Sequence, residues 1–438
     1  MADDAALQRA MAAHKGGRLK EAEVGYRRIL RTRPRDPDAL NFLGMLCVQQ
    51  GDAGAGVELL RRSVESVPTN PHAWLNLGNA LMAAGAIEEA RNAFQGATER
   101  APSMAEAWFN LGVCYRRLKD ATQAMECFRK TVEHGPGYSA AYEALATLLY
   151  RAGRSAEAAD AYREWLKYEP ENSIARHMLA ATSGEGAPAR AGDAYLTEMF
   201  DKFAETFDEN LQELGYRAPE LLAAALRGHV GAAGAAGLAS TGGLAGTGGL
   251  AGTARVVGAA GPALDILDAG CGTGLCGPLL KSITRSLVGV DISPGMTEKA
   301  KARGLYDELV VQELVGFMRS RPDAFDVIVS ADTLVYFGEL EAAVAAAYEC
   351  LRSPGVLAFT VERMGAGDAA VSASVGAAAG LPAPGGYRLE PHGRYSHSAD
   401  YVRGVLAAAG FTAVRFAEET LRRERGAQVN GYVVVACR

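Results

Sequence analysis

The chain has 438 residues, 49% apolar and 22% charged, with a formal net charge of -6. That is a globular composition, and no apolar run approaches the roughly 20 residues needed to span a bilayer. The negative balance and the lack of a dominant basic patch argue against a general nucleic-acid binder, and seven cysteines with no Cys-x-x-Cys pair argue against a disulfide framework or a metal site. The N-terminus begins acidic, MADDAALQRA, without the features of a secretory signal, so a cytoplasmic protein is expected.

The first 172 residues repeat. Pro34, Pro68, Pro102, Pro136 and Pro170 are each 34 residues apart. At fixed offsets before them stand Tyr26, Leu60, Phe94, Phe128 and Tyr162, and four residues earlier Ala22, Gly56, Ala90, Ala124 and Ala158. Earlier in each unit come Leu43-Gly44, Leu77-Gly78, Leu111-Gly112 and Leu145-Ala146, preceded in the third to fifth units by Trp74, Trp108 and Tyr142. Each unit reads as two antiparallel helices with small residues where they approach. These positions match the tetratricopeptide (TPR) pattern, and the resemblance covers residues 3–172 as five units, the first degenerate with Arg9 and Ala10 in place of Leu-Gly. It implies an α-solenoid whose groove takes a protein or peptide partner. Asn76 and Asn110 occupy equivalent inward positions, but Phe42 and Ala144 stand at the matching sites, so no long asparagine ladder is expected. Nine basic residues between 9 and 35 read as a solvated helical face. Residues 173–182, apolar on one side, are expected to cap the stack, with His177 a packing residue.

Residues 183–193 have the Gly/Pro-rich composition of an interdomain linker, so a second domain is expected over 194–438. It opens with a helix whose apolar stripe is Phe200, Phe203, Phe207, Leu211 and Leu214. Residues 231–261, almost entirely Gly, Ala, Leu, Thr and Val with Arg255 their single charge, read as a disordered insertion.

From Leu264 short apolar runs alternate with helical stretches: Leu264 to Ala269, Leu287 to Ile292, Leu309 to Val311, Phe325 to Ala331, Val356 to Val361, Ala413 to Phe416 and Gly431 to Ala436. This is a parallel α/β pattern, Rossmann-like, in which ligands bind beyond the C-terminal strand ends. The first run ends in Asp268-Ala-Gly-Cys-Gly-Thr-Gly274. Its glycines, Gly270, Gly272 and Gly274, depart from the dinucleotide fingerprint, which needs its third glycine where Leu275 stands. Asp268 is placed to hold an ammonium group through water or backbone, and Asp291, ending the second run, to accept two ribose hydroxyls.

On these motifs residues 262–438 resemble class I S-adenosylmethionine-dependent methyltransferases. Phe200-Asp-Lys-Phe-Ala-Glu-Thr-Phe-Asp208, Tyr216-Arg-Ala-Pro219 and Arg394-Tyr-Ser-His-Ser398 resemble, more narrowly, bacterial methyltransferases that carry TPR repeats. The resemblance implies S-adenosylmethionine as cofactor, on Asp268, Gly270, Cys271, Gly272, Gly274, Asp291, Ile292, Met296, Glu313, Leu314 and Ala331. Ile292 and Met296 would pack on ribose and adenine, Glu313 would read the adenine amino group, and the 200–214 stripe would partly act as a lid. Acceptor-side candidates are Tyr336 as a pocket wall, His397 as a general base, and Asp332, Glu362 and Tyr395. An Asn/Asp-Pro-Pro-Tyr motif is absent after the fourth strand, where the segment is more like those of small-molecule or carboxylate O-methyltransferases. The acceptor, small molecule or protein, stays open. So do an inactive scaffold and an NAD-dependent oxidoreductase as alternative readings.

Overall fold

The computed structural model describes residues 2–227, 264–365, 386–424 and 426–438, so the Gly/Ala-rich stretch at 231–261 lies outside the described residues. The chain divides into two compact units, Met1–Pro170 and Glu171–Arg438.

The first unit is five helical pairs: α1 (Ala2–Lys15) with α2 (Leu19–Thr32), α3 (Pro37–Gln49) with α4 (Ala53–Ser66), α5 (Pro71–Ala83) with α6 (Ile87–Arg100), α7 (Ala105–Arg117) with α8 (Ala121–His134), and α9 (Ser139–Arg151) with α10 (Ser155–Tyr168). The repeated residues explain the pairing. A side chain on Gly78 would overlap the ring of Phe94, and one on Gly112 the ring of Phe128, so bare backbone in the first helix admits the aromatic of the second. Helix starts are set by side chains that accept from orphan backbone N–H groups, as Asp36 does from Ala39 and Asp120 from Gln123. The indole N–H of Trp74 donates to the Pro68 carbonyl at 2.8 Å and that of Trp108 to Pro102 at 2.7 Å, tying each tryptophan to the turn before it. Between first helices of neighbouring pairs, Asn76 donates to Asn41 and Asn110 to Asn79, both at 3.0 Å. The partners sit at other than equivalent repeat positions, which is why comparing matched sites does not find them.

The second unit starts with α11 (Ser173–Ser183). His177 on it is buried, donates from Nε2 to the Gly393 carbonyl at 2.8 Å and stacks on Tyr195 at 4.0 Å. The segment expected as a cap of the repeats is thus part of the second unit's core. The expected linker belongs there too: Ala191 N donates to the Tyr336 carbonyl at 2.8 Å, and Arg190 bridges Phe337. Next come α12 (Asp193–Phe203), α13 (Phe207–Glu213) and α14, seen over 218–227. The single helix expected across 200–214 is two, with a turn at 204–206.

Then follow β1 (Leu264–Ala269), α15 (Gly277–Leu280), β2 (Thr284–Asp291), α16 (Pro294–Ala302), β3 (Glu308–Val311), α17 (Leu314–Arg319), β4 (Phe325–Ser330), α18 (Glu341–Cys350), β5 (Leu351–Arg363), β6 (Tyr387–Leu389), β7 (Tyr395–His397), α19 (Ala399–Ala409), β8 (Thr412–Glu424) and β9 (Ala427–Cys437). They form one sheet, ordered β3-β2-β1-β4-β5-β7-β6, with β9 pairing β5 and β8. The first five strands are parallel, as expected. β9 runs antiparallel to both β5 and β8, so the sheet is mixed. Apolar cores cover both faces. One holds Leu267, Val290, Ile328 and Phe359 with Leu196, Phe317 and Val344; the other holds Ile266, Val327 and Val433 with Leu222 and Leu226 of α14. Burial on both faces is why apolar residues stand side by side in β1 (Ile266-Leu267) and β4 (Val327-Ile328-Val329) and do not alternate with polar ones there.

Candidate active site

The strand order reverses between β1 and β4, so a crevice opens beyond their carboxyl ends. A cavity lies there, with about 1090 Å³ of empty space including the solvent at its mouth. Its wall includes the turn after β1. Gly270, Gly272 and Gly274 have φ of 77°, 53° and 84°, in the left-handed region that glycine adopts without strain. Gly270 also meets Thr333, whose side chain a Cβ would strike. Gly272 is different: it lines the cavity, and among the described residues no atom beyond its chain neighbours lies within 4 Å of where its Cβ would stand. The space above it is free for a ligand.

Asp291, at the end of β2, accepts from Gly272 N at 2.8 Å through Oδ2 and from Ser293 N at 2.9 Å through Oδ1. Burial pushes its carboxyl up, and these N–H groups oppose the shift. Ser293 caps α16 by accepting from Met296 N at 3.0 Å, which brings Met296 into the wall beside Ile292. Glu313, expected to read adenine, also caps α17: its oxygens accept from Val315 N at 3.0 Å and Gly316 N at 2.7 Å. It still lines the cavity, with Leu314 and with Gln312, whose carboxamide offers both donor and acceptor. Cys271 and Ala331 line it as well.

Two expected cofactor residues stand behind the wall. Asp268 is buried, and its Oδ2 accepts from the Tyr306 hydroxyl at 2.6 Å, so it braces the turn from behind. Burial pushes its carboxyl up to about 7. Gly274 packs on Tyr306, whose ring would lie 2.9 Å from an added Cβ.

Tyr336 is also in the wall of the cavity; its hydroxyl accepts from Arg394 Nε at 3.3 Å and its ring packs edge-on against Phe200. His397 corrects the general-base expectation. Its ring has no exposed surface and does not line the cavity. Nε2 donates to the Phe337 carbonyl at 2.8 Å, and burial pushes the imidazole down to about 4. Tyr395 is fully buried, donating to the Pro188 carbonyl at 2.6 Å. Asp332 lines the cavity; Glu362 is buried beneath it.

A family profile described as a tetratricopeptide repeat matches residues 7–71, 75–139 and 122–173, and one described as a methyltransferase domain matches 267–359. The chain joins tetratricopeptide repeats to a methyltransferase domain. A malonyl-[acyl-carrier protein] O-methyltransferase of Acetivibrio thermocellus is 34% identical over 99 residues, 22% of this chain and 35% of that protein. An 18S rRNA (guanine-N(7))-methyltransferase of Bos taurus is 35% identical over 65 residues, 15% of this chain and 23% of that protein. The chain thus spans about a third of the first relative and a quarter of the second. A crystal structure of MamA protein aligns at 23% identity over 39% of this chain and 92% of its own, with a TM-score of 0.36.

Sequence reasoning passed over the ionic cluster of the methyltransferase domain. Arg422 is 1% exposed. Its Nη1 meets Asp332 at 3.0 Å, its Nε meets Glu424 at 2.7 Å and its Nη2 pairs with Glu362. Arg394 shares Glu424 at 2.9 Å and Glu362 at 3.5 Å. Both arginines and Tyr216 line the cavity. The two guanidiniums hold Glu424 down to about 2 against the opposing effect of its burial.

Proposed function

We propose that the methyltransferase domain binds S-adenosylmethionine in the cavity at the switch point and transfers its methyl group to an acceptor, and that the repeats provide a groove for a protein or peptide partner. The observation that carries the cofactor reading is the bond from Gly272 N to Asp291, which holds a carboxylate beside bare backbone that faces open space. A ribose resting on that backbone would meet the Asp291 carboxylate, which has accepting capacity beyond the backbone N–H groups it already binds. When bound, S-adenosylmethionine supplies a methyl group on a positively charged sulfur that is its own leaving group.

The chain's part is orientation and exclusion of water. Met296 and Leu314 offer apolar flanks for adenine, Gln312 and Glu313 a polar edge, and Phe200 and Phe207 an apolar cover from α12 and α13. Asp291 and Glu313 put carboxyl groups in the wall, while its arginines are ion-paired, a balance that suits a cationic ligand.

Calorimetric titration with S-adenosylhomocysteine tests the reading. Asp291→Ala removes two hydrogen bonds of about 1 kcal/mol each, so binding about 30-fold weaker than the parent's is expected. Equal affinity places the site elsewhere. NAD is expected to give no thermal shift.

A further inference from the structure

The inner end of the cavity carries chemistry that cofactor binding leaves unused. Asp332, two residues past β4, is in the wall with φ at 53°, a conformation that residues bearing a Cβ rarely adopt. Three contacts hold it there. Its N–H donates to Thr360 Oγ1 at 2.9 Å, its Oδ1 accepts from that hydroxyl at 3.0 Å, and its Oδ2 meets Arg422 at 3.0 Å. The hydroxyl of Tyr216, in the same wall, makes no hydrogen bond among the described residues, and Asp332, Arg394 and Arg422 all act on it electrostatically.

Charge decides which acceptors suit this end. Arg394 and Arg422 face three carboxyl groups, Asp332, Glu362 and Glu424, and the third arginine of the wall, Arg190, is paired with Asp193 at 2.6 Å. His392 sits 3.4 Å from Glu362, and its imidazole is pushed down by burial, so it adds no cation near neutral pH. Among the described residues of the wall, no guanidinium charge is left over for an anion. A carboxylate acceptor would add a fourth anion and, being already ionised, would have no use for a base. A hydroxyl or amine must give up a proton.

We propose that Asp332 takes the proton from a neutral acceptor bearing an O–H or N–H group, with the Tyr216 hydroxyl orienting that acceptor. This rests on the cofactor reading above. The acceptor's lone pair forms the bond to the methyl carbon, the carbon–sulfur bond breaks with its electron pair left on sulfur, and the acceptor's proton goes to Asp332. The carboxylate acceptors suggested by the sequence are thereby disfavoured.

The test does not require knowing the acceptor. An extract of the cells the protein comes from is incubated with the full chain and methyl-labelled S-adenosylmethionine, and the products are treated with dilute hydroxide. Methyl esters release labelled methanol, whereas ethers and methylamines keep the label. Base-stable label is expected, falling about 100-fold or more in Asp332→Asn and in part restored in Asp332→Glu, while S-adenosylhomocysteine affinity stays within twofold. Mainly base-labile label, undiminished label in Asp332→Asn, or no label from a chain that binds S-adenosylhomocysteine overturns the proposal. Loss of S-adenosylhomocysteine binding by the unaltered chain sinks the cofactor reading instead. A second readout needs no turnover: in ligand-observed NMR on the chain loaded with S-adenosylhomocysteine, phenol is expected to bind and benzoate not. Benzoate binding as well as phenol, or binding of neither, overturns the assignment. If Asp332→Asn fails to fold, Asp332→Glu, Tyr216→Phe and the probe pair still decide.

Discussion

Asp268 carries a cost that shows in the pH dependence of stability. Burial lifts its folded-state carboxyl to about 7, against roughly 3.9 for an aspartate in an unfolded chain. Between those values the folded state binds the extra proton, so the stabilisation is fully present below about pH 4 and is lost as the pH rises to 7. The span corresponds to about 4 kcal/mol. In scanning calorimetry from pH 5 to 8, the parent's unfolding temperature should fall relative to that of Asp268→Asn. Parallel pH profiles would show that the carboxyl is not held protonated. The glycine turn beside it was legible as residue spacing. Which side of the turn Asp268 occupies was not, because that depends on Tyr306, 38 residues on. Arg422 was hidden for another reason. It sits among charged neighbours in Arg422-Arg423-Glu424 and reads as solvated hairpin. An irregularity in the β8–β9 register between Thr420 and Arg422 breaks the in-out alternation, so Leu421 and Arg422 are both buried.

Between residue and fold stands the α12–α13 cover. Phe200, Phe207 and Leu211 face the cavity, and three carboxylates along the same stretch fasten to the segment that holds α16. Asp201 accepts from Ser293 Oγ at 2.5 Å and Gly295 N at 3.0 Å, Glu205 pairs with Lys299 at 2.7 Å, and Asp208 pairs with Arg303 and accepts from Thr273 Oγ1 at 2.5 Å. The apolar stripe was readable at helical spacing; the break at 204–206 carries no glycine or proline to mark it. The fastenings differ in exposure. Glu205 is 83% exposed, whereas Arg303 is 28% exposed and also donates to the Thr273 carbonyl of the glycine turn. Exposed pairs contribute about 0–1 kcal/mol. Lys299→Ala should therefore leave S-adenosylhomocysteine release nearly unchanged in stopped-flow measurements, while Arg303→Ala should speed it by about fivefold or more. Equal effects would mean that the cover is held by its phenyl rings alone. Higher salt should speed release from the parent, since ions screen these contacts.

For the molecule as a whole, the 34-residue proline period made the repeat unit plain, because each repeat must bury the same face against its neighbour. The boundary was harder. The apolar face of α11 says that it packs on something, and only the bond from His177 to Gly393 and the stack on Tyr195 say on what. The packing of α11 bears on where the chain can be truncated. Every residue in the cavity wall belongs to Glu171–Arg438. Cutting at 183, the start of the expected linker, would remove α11 and expose Leu389 and Tyr395, which pack against Ala180 and Ala181. Cutting after Pro170 keeps that cluster intact. The chain from Glu171 onward should bind S-adenosylhomocysteine within twofold of the full chain, whereas the chain from Gly184 onward should melt lower and bind more weakly. If the repeats deliver a protein acceptor, the Glu171 truncation also loses methyl transfer to protein while small hydroxyl acceptors are still methylated. Unchanged protein labelling by that truncation would assign the groove a role apart from substrate delivery.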